Sequence, residues 1–296
     1  MKKFVFTVLA AAASFAAMAQ IDIWCWQDGV ATKKAATDSV TLAKPASLGD
    51  ILVWRKAGKF ATSTELTNVD SITFTNPYLE NGREYVDLGL TSGTKWATMN
   101  LGAENPQDYG SYFAWGETTT KETYSWSTYL DGKISSSYDC GTYHKDALKG
   151  VTDIAGTQYD AAKANWGGKW RMPTQAQQTE LRNECYWVWT ESYNNSNVKG
   201  YIVYKAKSES DKGKYVYKNG TPSSSYSLSD AHIFLPAAGY RGDGDLSYVG
   251  SRGYFLSSSL NTDYPYYAWD VNFYPDGVYN NFDNRYLGQS VRAVFK

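Results

Sequence analysis

From Glu84 to Lys296 the chain shows helical spacing in only two short stretches, while glycine, tryptophan and tyrosine recur throughout. A chain of this kind cannot bury its apolar side chains on long amphipathic helices, so short strands and loops must enclose the core. The first helical stretch runs from Asp160 to Asn165 and stops at Gly167-Gly168. The second starts near Pro173-Thr174, where Thr174 is placed to cap it, and runs to about Cys185. The expected class is α+β, loop-rich, with two short helices.

The last fifty residues carry the clearest strand pattern. Trp269, Val271 and Phe273 alternate with Asp270, Asn272 and Tyr274, which predicts a strand with one buried and one presented face. Tyr274-Pro275-Asp276-Gly277 then forms a turn, because proline presets φ and glycine accepts the unusual backbone that follows. Val291, Ala293 and Phe295 alternate with Ser290 and Arg292 and predict a closing strand. Gly242-Asp243-Gly244-Asp245 reads as a polar hairpin tip; it lacks the third glycine and flanking helix of a phosphate loop.

The N-terminal part is organised differently. Lys2 and Lys3, the apolar run from Phe4 to Ala17 and Ala17-Met18-Ala19 predict a cleaved export signal over residues 1–19, with Gln20 first in the mature chain. Residues 20–77 hold a weak duplication: Asp22-Ile23-Trp24-Cys25-Trp26 with Asp38-Ser39-Val40-Thr41-Leu42, then Asp50-Ile51-Leu52-Val53-Trp54 with Asp70-Ser71-Ile72-Thr73-Phe74. Each copy predicts strand, turn, strand, giving a small all-β module ahead of a larger domain over 84–296. The chain is expected to be exported, to the periplasm, the cell surface or the medium.

Composition excludes several classes of partner. A net charge of −1 provides no basic footprint for nucleic acid, and no segment after the leader is long and apolar enough for a membrane span. With two histidines, His144 and His232, no three-histidine zinc site can form, and neither a nucleophile elbow nor a phosphate loop is present. No catalytic residue, metal or cofactor is expected. Of three cysteines, Cys140 and Cys185 are the expected disulfide pair, since both lie in the larger domain. Arg171, in Trp170-Arg171-Met172-Pro173-Thr174, is read as fixing the helix start, and Trp96, Trp115, Trp166 and Trp170 as core.

Six tyrosines fall between Tyr264 and Tyr286. A buried phenol without a partner costs about 1–3 kcal/mol, so enclosing all six would demand six dedicated acceptors. At least four are therefore expected at the surface. Exposed tyrosine among Asn, Asp, Ser and Gly has the composition of a paratope, with rigid amphipathic rings beside adaptable polar groups.

Several motifs then carry a family resemblance. Tyr85-Val86-Asp87-Leu88-Gly89-Leu90, Gly93-Thr94-Lys95-Trp96-Ala97, Asp108-Tyr109-Gly110-Ser111-Tyr112-Phe113-Ala114-Trp115-Gly116-Glu117, Trp166-Gly167-Gly168-Lys169-Trp170-Arg171-Met172-Pro173-Thr174, Gly253-Tyr254-Phe255-Leu256-Ser257-Ser258-Ser259 and Ser290-Val291-Arg292-Ala293-Val294 occur in order. They resemble the Fibrobacter-major-paralogue family, which is similar to the formylglycine-generating-enzyme branch of the C-type-lectin fold. The resemblance implies a compact C-type-lectin-like domain over residues 84–296 whose first and last strands pair. It does not bring formylglycine chemistry, which needs a cysteine pair near the C-terminus, and this chain has none after Cys185. Nor does Trp269-Asp270-Val271-Asn272 match the Trp-Asn-Asp strand of calcium-dependent lectins.

The segment from Ser257 to Val294 also resembles the variable region of proteins diversified by a retroelement. On that likeness Trp269, Val271, Phe273, Arg285 and Gly288-Gln289-Ser290-Val291-Arg292 are scaffold. Tyr264, Tyr266, Tyr267, Asp270, Asn272, Tyr274, Asp276, Tyr279, Asn280, Asn281, Asp283, Asn284 and Tyr286 form the diversified, ligand-contacting set. The expected partner is a protein or glycan on another cell, phage or host surface; a structural cell-envelope protein or an enzyme on the same fold are the alternatives. Diversification requires a near-copy of this coding segment and a reverse transcriptase gene in the neighbouring DNA, and sequencing that finds neither removes it.

Overall fold

The computed structural model describes residues 24–27, 30–33, 39–43, 51–56, 59–65, 71–73, 77–130, 148 and 150–296. The expected export signal, Cys140 and His144 lie outside the described residues. Two compact units are present, one running to Leu79 and the other from Glu80 to Lys296.

In the first unit the two sequence copies exchange strands. Trp24–Gln27 pairs with Val30–Lys33 on one side and with Ser71–Thr73, from the second copy, on the other. Ser39–Ala43 pairs with Ile51–Lys56, which continues into Lys59–Glu65. Each copy therefore lends a strand to the other. The Tyr78 hydroxyl donates to the Ala31 carbonyl and accepts from the Ala31 amide, at 3.0 and 3.1 Å, and its ring meets Trp24 edge-on.

Over its described residues the second unit is mostly β-sheet with two α-helices, as expected of a loop-rich α+β domain. Gly253–Leu260, Tyr267–Tyr274 and Gly277–Asn284 form the long antiparallel part of a five-stranded sheet, with Gln289–Ser290 and Tyr112–Phe113 beyond Gly253–Leu260. A second sheet holds Tyr215–Val216, Cys185–Thr190, Gly200–Lys205 and His232–Pro236 in that order. The closing strand, Val294–Phe295, pairs with Lys95–Ala97, which pairs with Arg83–Val86.

Both helices fall where the spacing places them. The Ala161–Trp166 helix starts at Asp160, whose carboxylate accepts from the Lys163 amide at 3.0 Å and from the Met172 amide at 3.0 Å, tying cap to the following loop. It ends at Gly167, whose φ of 64° favours glycine. The Gln175–Glu184 helix has Thr174 as its cap in a reciprocal box with Gln177.

One face of the long sheet packs Phe255, Val271, Phe273 and Val278 on Trp187, Trp189 and Tyr201. The other packs Leu256, Leu260 and Ala268 with Trp115, Trp170 and Val291. Trp96, Trp115, Trp166 and Trp170 are all buried, as the sequence indicates. Gly253 stands directly opposite Phe273, where an added Cβ would lie 2.2 Å from the ring. Tyr267–Tyr274 is covered on both faces. Asp270 and Asn272, expected to face outward, are buried, whereas Trp269, expected inside, is only half-buried. Arg292 and Ser290 are likewise buried and not presented.

Arg292 joins four segments and has no acidic partner among the described residues. Its Nε donates to Asn100 Oδ1 at 2.9 Å, Nη1 to the carbonyls of Ala97 and Thr98 at 3.2 and 3.0 Å, and Nη2 to that of Phe234 at 2.6 Å. Burial pushes its pKa down to about 9, so the group stays cationic at neutral pH and the carbonyl dipoles meet its charge. Arg292→Leu strands all four acceptors; chemical unfolding is expected to show a loss of about 3–5 kcal/mol. Arg292→Lys recovers only part of that loss, because one ammonium cannot span the same fork.

Candidate functional site

The Tyr267–Asn284 hairpin turns on Pro275-Asp276, and its register decides what each side chain can reach. Tyr267 stands opposite Asn284, Trp269 opposite Phe282 and Val271 opposite Asn280, so these share one face. Ala268 and Asp283, Asp270 and Asn281, and Asn272 and Tyr279 share the other.

At the open end of the first face five rings touch in sequence. Phe282 meets Trp269 edge-on at 5.3 Å, Tyr267 at 5.1 Å and Tyr264 in a stack at 6.4 Å between centroids. Tyr266 contacts Tyr264 at 6.2 Å and Tyr267 at 4.3 Å. Tyr264 is 51% exposed and the other four are half-buried.

The turn presenting Tyr264 and Tyr266 is held from both ends. Asn261 Oδ1 accepts from the amides of Asp263 and Tyr264, each at 3.1 Å. Beneath it the buried Arg285 donates Nη1 to the Pro265 carbonyl at 3.1 Å and Nε to the Tyr129 hydroxyl at 2.9 Å, with its guanidinium 4.6 Å from the Trp115 ring centre. The rings are thus fixed before any partner arrives, which lowers the ordering cost of binding.

The second face is polar inside. Asp270 is fully buried, Gln289 Nε2 donates to its Oδ2 at 3.0 Å, and Asp283 lies close enough for its charge to oppose that of Asp270. Two neighbouring carboxyls disfavour each other's ionisation. Burial, then the neighbouring Asp283 charge, pushes Asp270 well above the ordinary aspartate value, and burial raises Asp283 as well. Nearer the turn, Tyr274 and Tyr279 lie 5.3 Å apart, and Arg252 sits 4.1 Å over Tyr248 and 5.0 Å over Tyr274.

The thirteen residues expected to form one surface are therefore divided. Tyr264, Tyr266 and Tyr267 converge on one patch, with Asn284 beside them as the strand partner of Tyr267. Tyr274, Asp276 and Tyr279 lie at the hairpin tip, and Asn281 and Asp283 on the second face. Asn280 donates to Thr179 Oγ1 of the longer helix at 2.7 Å, and Tyr286 packs edge-on to Trp126 at 4.9 Å. Asp270 and Asn272 are inside and cannot contact a ligand. None of the six tyrosines is sealed in; two are exposed and four half-buried.

The sequence reading placed Trp269 in the scaffold and passed over Phe282, yet both belong to the patch. The available clue is Ala268, a small residue between two large aromatics, which marks the tightly packed face and turns Trp269 to the other.

Other chemistry is poorly supported by its surroundings. Cys185 is a free, buried thiol, its expected partner Cys140 lying outside the described residues, and burial raises its pKa, leaving it a poor nucleophile. His232 is held through Nδ1 by the Asp230 carbonyl at 2.7 Å and through Nε2 by the Tyr193 hydroxyl at 3.0 Å, and burial lowers its pKa. Among the described residues no three His, Cys, Asp or Glu side chains gather as a metal site, and no helix is long and apolar enough to cross a membrane. Compared with protein-family profiles, curated proteins and solved structures, the chain finds no match.

The carboxyl pair sets a pH dependence. Both folded values are raised, so the native chain holds a proton that the unfolded chain releases; the pair's stability contribution is complete below the usual aspartate value and is lost as pH rises through the folded values. Asp270→Asn keeps the shape and cannot ionise. Thermal unfolding is expected to show the variant several degrees more stable than the parent at about pH 8, with little difference near pH 4.

Proposed function

We propose that this chain is an exported, non-enzymatic binding protein whose larger domain is a C-type-lectin-like module of the Fibrobacter-major-paralogue type. The pairing of Val294–Phe295 with Lys95–Ala97, two short helices and long connecting loops support that assignment of fold. Recognition falls to the rings of Tyr264, Tyr266, Tyr267, Trp269 and Phe282, and the partner is a protein or glycan at another surface.

The observation that carries this reading is the patch itself. Five aromatic side chains touch one another, Tyr264 stays 51% exposed, and a buried arginine fixes the turn beneath them. Half-open rings backed by a rigid scaffold resemble the anchors that dominate binding energy in interfaces. Asn284 and the neighbouring amides supply hydrogen bonds for orientation.

The test is capture of surface material from the native community on immobilised protein, with the amount retained measured for the parent, Tyr264→Ala with Phe282→Ala, and Asn281→Ala. An anchor of this kind is worth about 2 kcal/mol, so the double variant is expected to lose roughly thirtyfold in apparent affinity while its unfolding midpoint holds within a few degrees. Asn281→Ala, on the opposite face, is expected to bind as the parent does. Equal capture by the double variant and the parent contradicts the assignment.

A further inference from the structure

A cleft distinct from those rings opens where the 217–221 loop meets the hairpin tip. Its volume is about 360 Å³, and Tyr215, Tyr217, Lys218, Asn219, Thr221 and Asp276 line it. The loop is built, not loose. The Gly220 amide donates to the Tyr217 carbonyl at 2.8 Å and closes a tight turn, and an added Cβ at Gly220 would come within 2.9 Å of Val216 Cγ1. The Lys218 amide donates to the Pro275 carbonyl at 2.8 Å, fastening the loop to the turn that carries Asp276.

Within the cleft the Tyr215 and Tyr217 rings lie nearly parallel, 10° apart in plane and 6.2 Å between centroids. Tyr215 is anchored by its hydroxyl, which donates to the Arg182 carbonyl at 2.7 Å. Tyr217, backed by that ring, remains 43% exposed. Around it stand a carboxylate (Asp276), a carboxamide (Asn219), a hydroxyl (Thr221) and an ammonium (Lys218), the last with Glu191 as its counter-charge at 3.6 Å.

A flat aromatic platform rimmed by hydrogen-bonding groups of both senses suits a ligand with one C–H face and a hydroxyl-bearing edge. We infer that this cleft is a second binding site, for a neutral carbohydrate of one or two pyranose rings. The volume lies at the small end for ligand sites, which matches a ligand of that length. A phosphorylated or acidic ligand is disfavoured by Asp276 and Glu191 and finds only one cation, itself already paired. An extended peptide would need a longer free strand edge than the two residues of Tyr215–Val216. The site shares no residue with the Tyr264–Phe282 patch and stands or falls independently of it.

Calorimetric titration of the full chain with cellotetraose, xylotetraose, mannotetraose and maltotetraose, beside tetragalacturonate as the acidic control, tests the inference. At least one neutral tetrasaccharide is expected to bind with a Kd of about 1 mM or tighter. Tyr217→Ala is expected to weaken it about tenfold or more, as is Asn219→Ala, which sits on an exposed turn and leaves the core untouched. Tyr264→Ala is expected to leave it within about twofold. The inference is overturned if none of the four neutral sugars binds, if only the acidic sugar binds, if both cleft variants bind as the parent does, or if Tyr264→Ala abolishes binding equally.

Discussion

The Arg292 guanidinium lies where the closing segment, the strand before Thr98, the Asn100 loop and the His232–Pro236 strand meet, and its four acceptors come from all three of the latter. Among the described residues no carboxylate neutralises it. A bare buried cation is tolerable only when each N–H direction finds a carbonyl or amide oxygen, so the positions of four backbone stretches are coupled to one side chain. The strands Lys95–Ala97 and Val294–Phe295 are paired beside it, with backbone bonds from Ala97 to Ala293 and from Leu101 to Val291 on either side of Arg292.

The long hairpin repeats the same strategy on a smaller scale. Arg285 is buried under the Tyr264–Tyr266 turn, and Asp270 is buried beside the half-buried Asp283. Polar groups that a sequence reading assigns to the outside instead stiffen the platform from within. One consequence is a division of labour along a single pair of strands, with apolar rings at the open end, polar fasteners in the middle and a second ring cluster at the turn. Substitution at the exposed Tyr264 or Tyr279 leaves the interior intact, whereas at Asp270 and Asn272 it would alter the interior.

What could be read in advance follows from how local each determinant is. Asp160 and Thr174 cap their helices through bonds within the same turn, so both were visible in the sequence; the bend at Pro275-Asp276 falls where expected, but Gly277 does not take the left-handed backbone foreseen for it. Alternation along Trp269–Tyr274 misled because both faces of the sheet are packed, one on Trp187, Trp189 and Tyr201 and the other on Trp115, Trp170 and Val291, and parity no longer separates inside from outside. The Cys140–Cys185 pairing rested on shared domain membership, whereas Cys185 sits in the core beside Trp187 and Leu181. The duplication in the first unit was legible, but its strand exchange depends on contacts between copies that no local pattern encodes. The cleft at Tyr217 gave no sign at all, since it joins the 217–221 loop to a turn far along the chain.

Tyr264 and Tyr279 are displayed outward at the two ends of an ordered hairpin. Residue-resolved acetylation of tyrosine hydroxyls, read by mass spectrometry on the same sample used for amide hydrogen exchange, tests both halves together. Tyr264 and Tyr279 are expected to react rapidly while Tyr124, Tyr129 and Tyr201 stay protected, and the amides of Tyr267–Tyr274 are expected to exchange as slowly as those of Gly200–Lys205. Fast exchange across that strand, or protection of Tyr264 equal to that of Tyr129, contradicts the account.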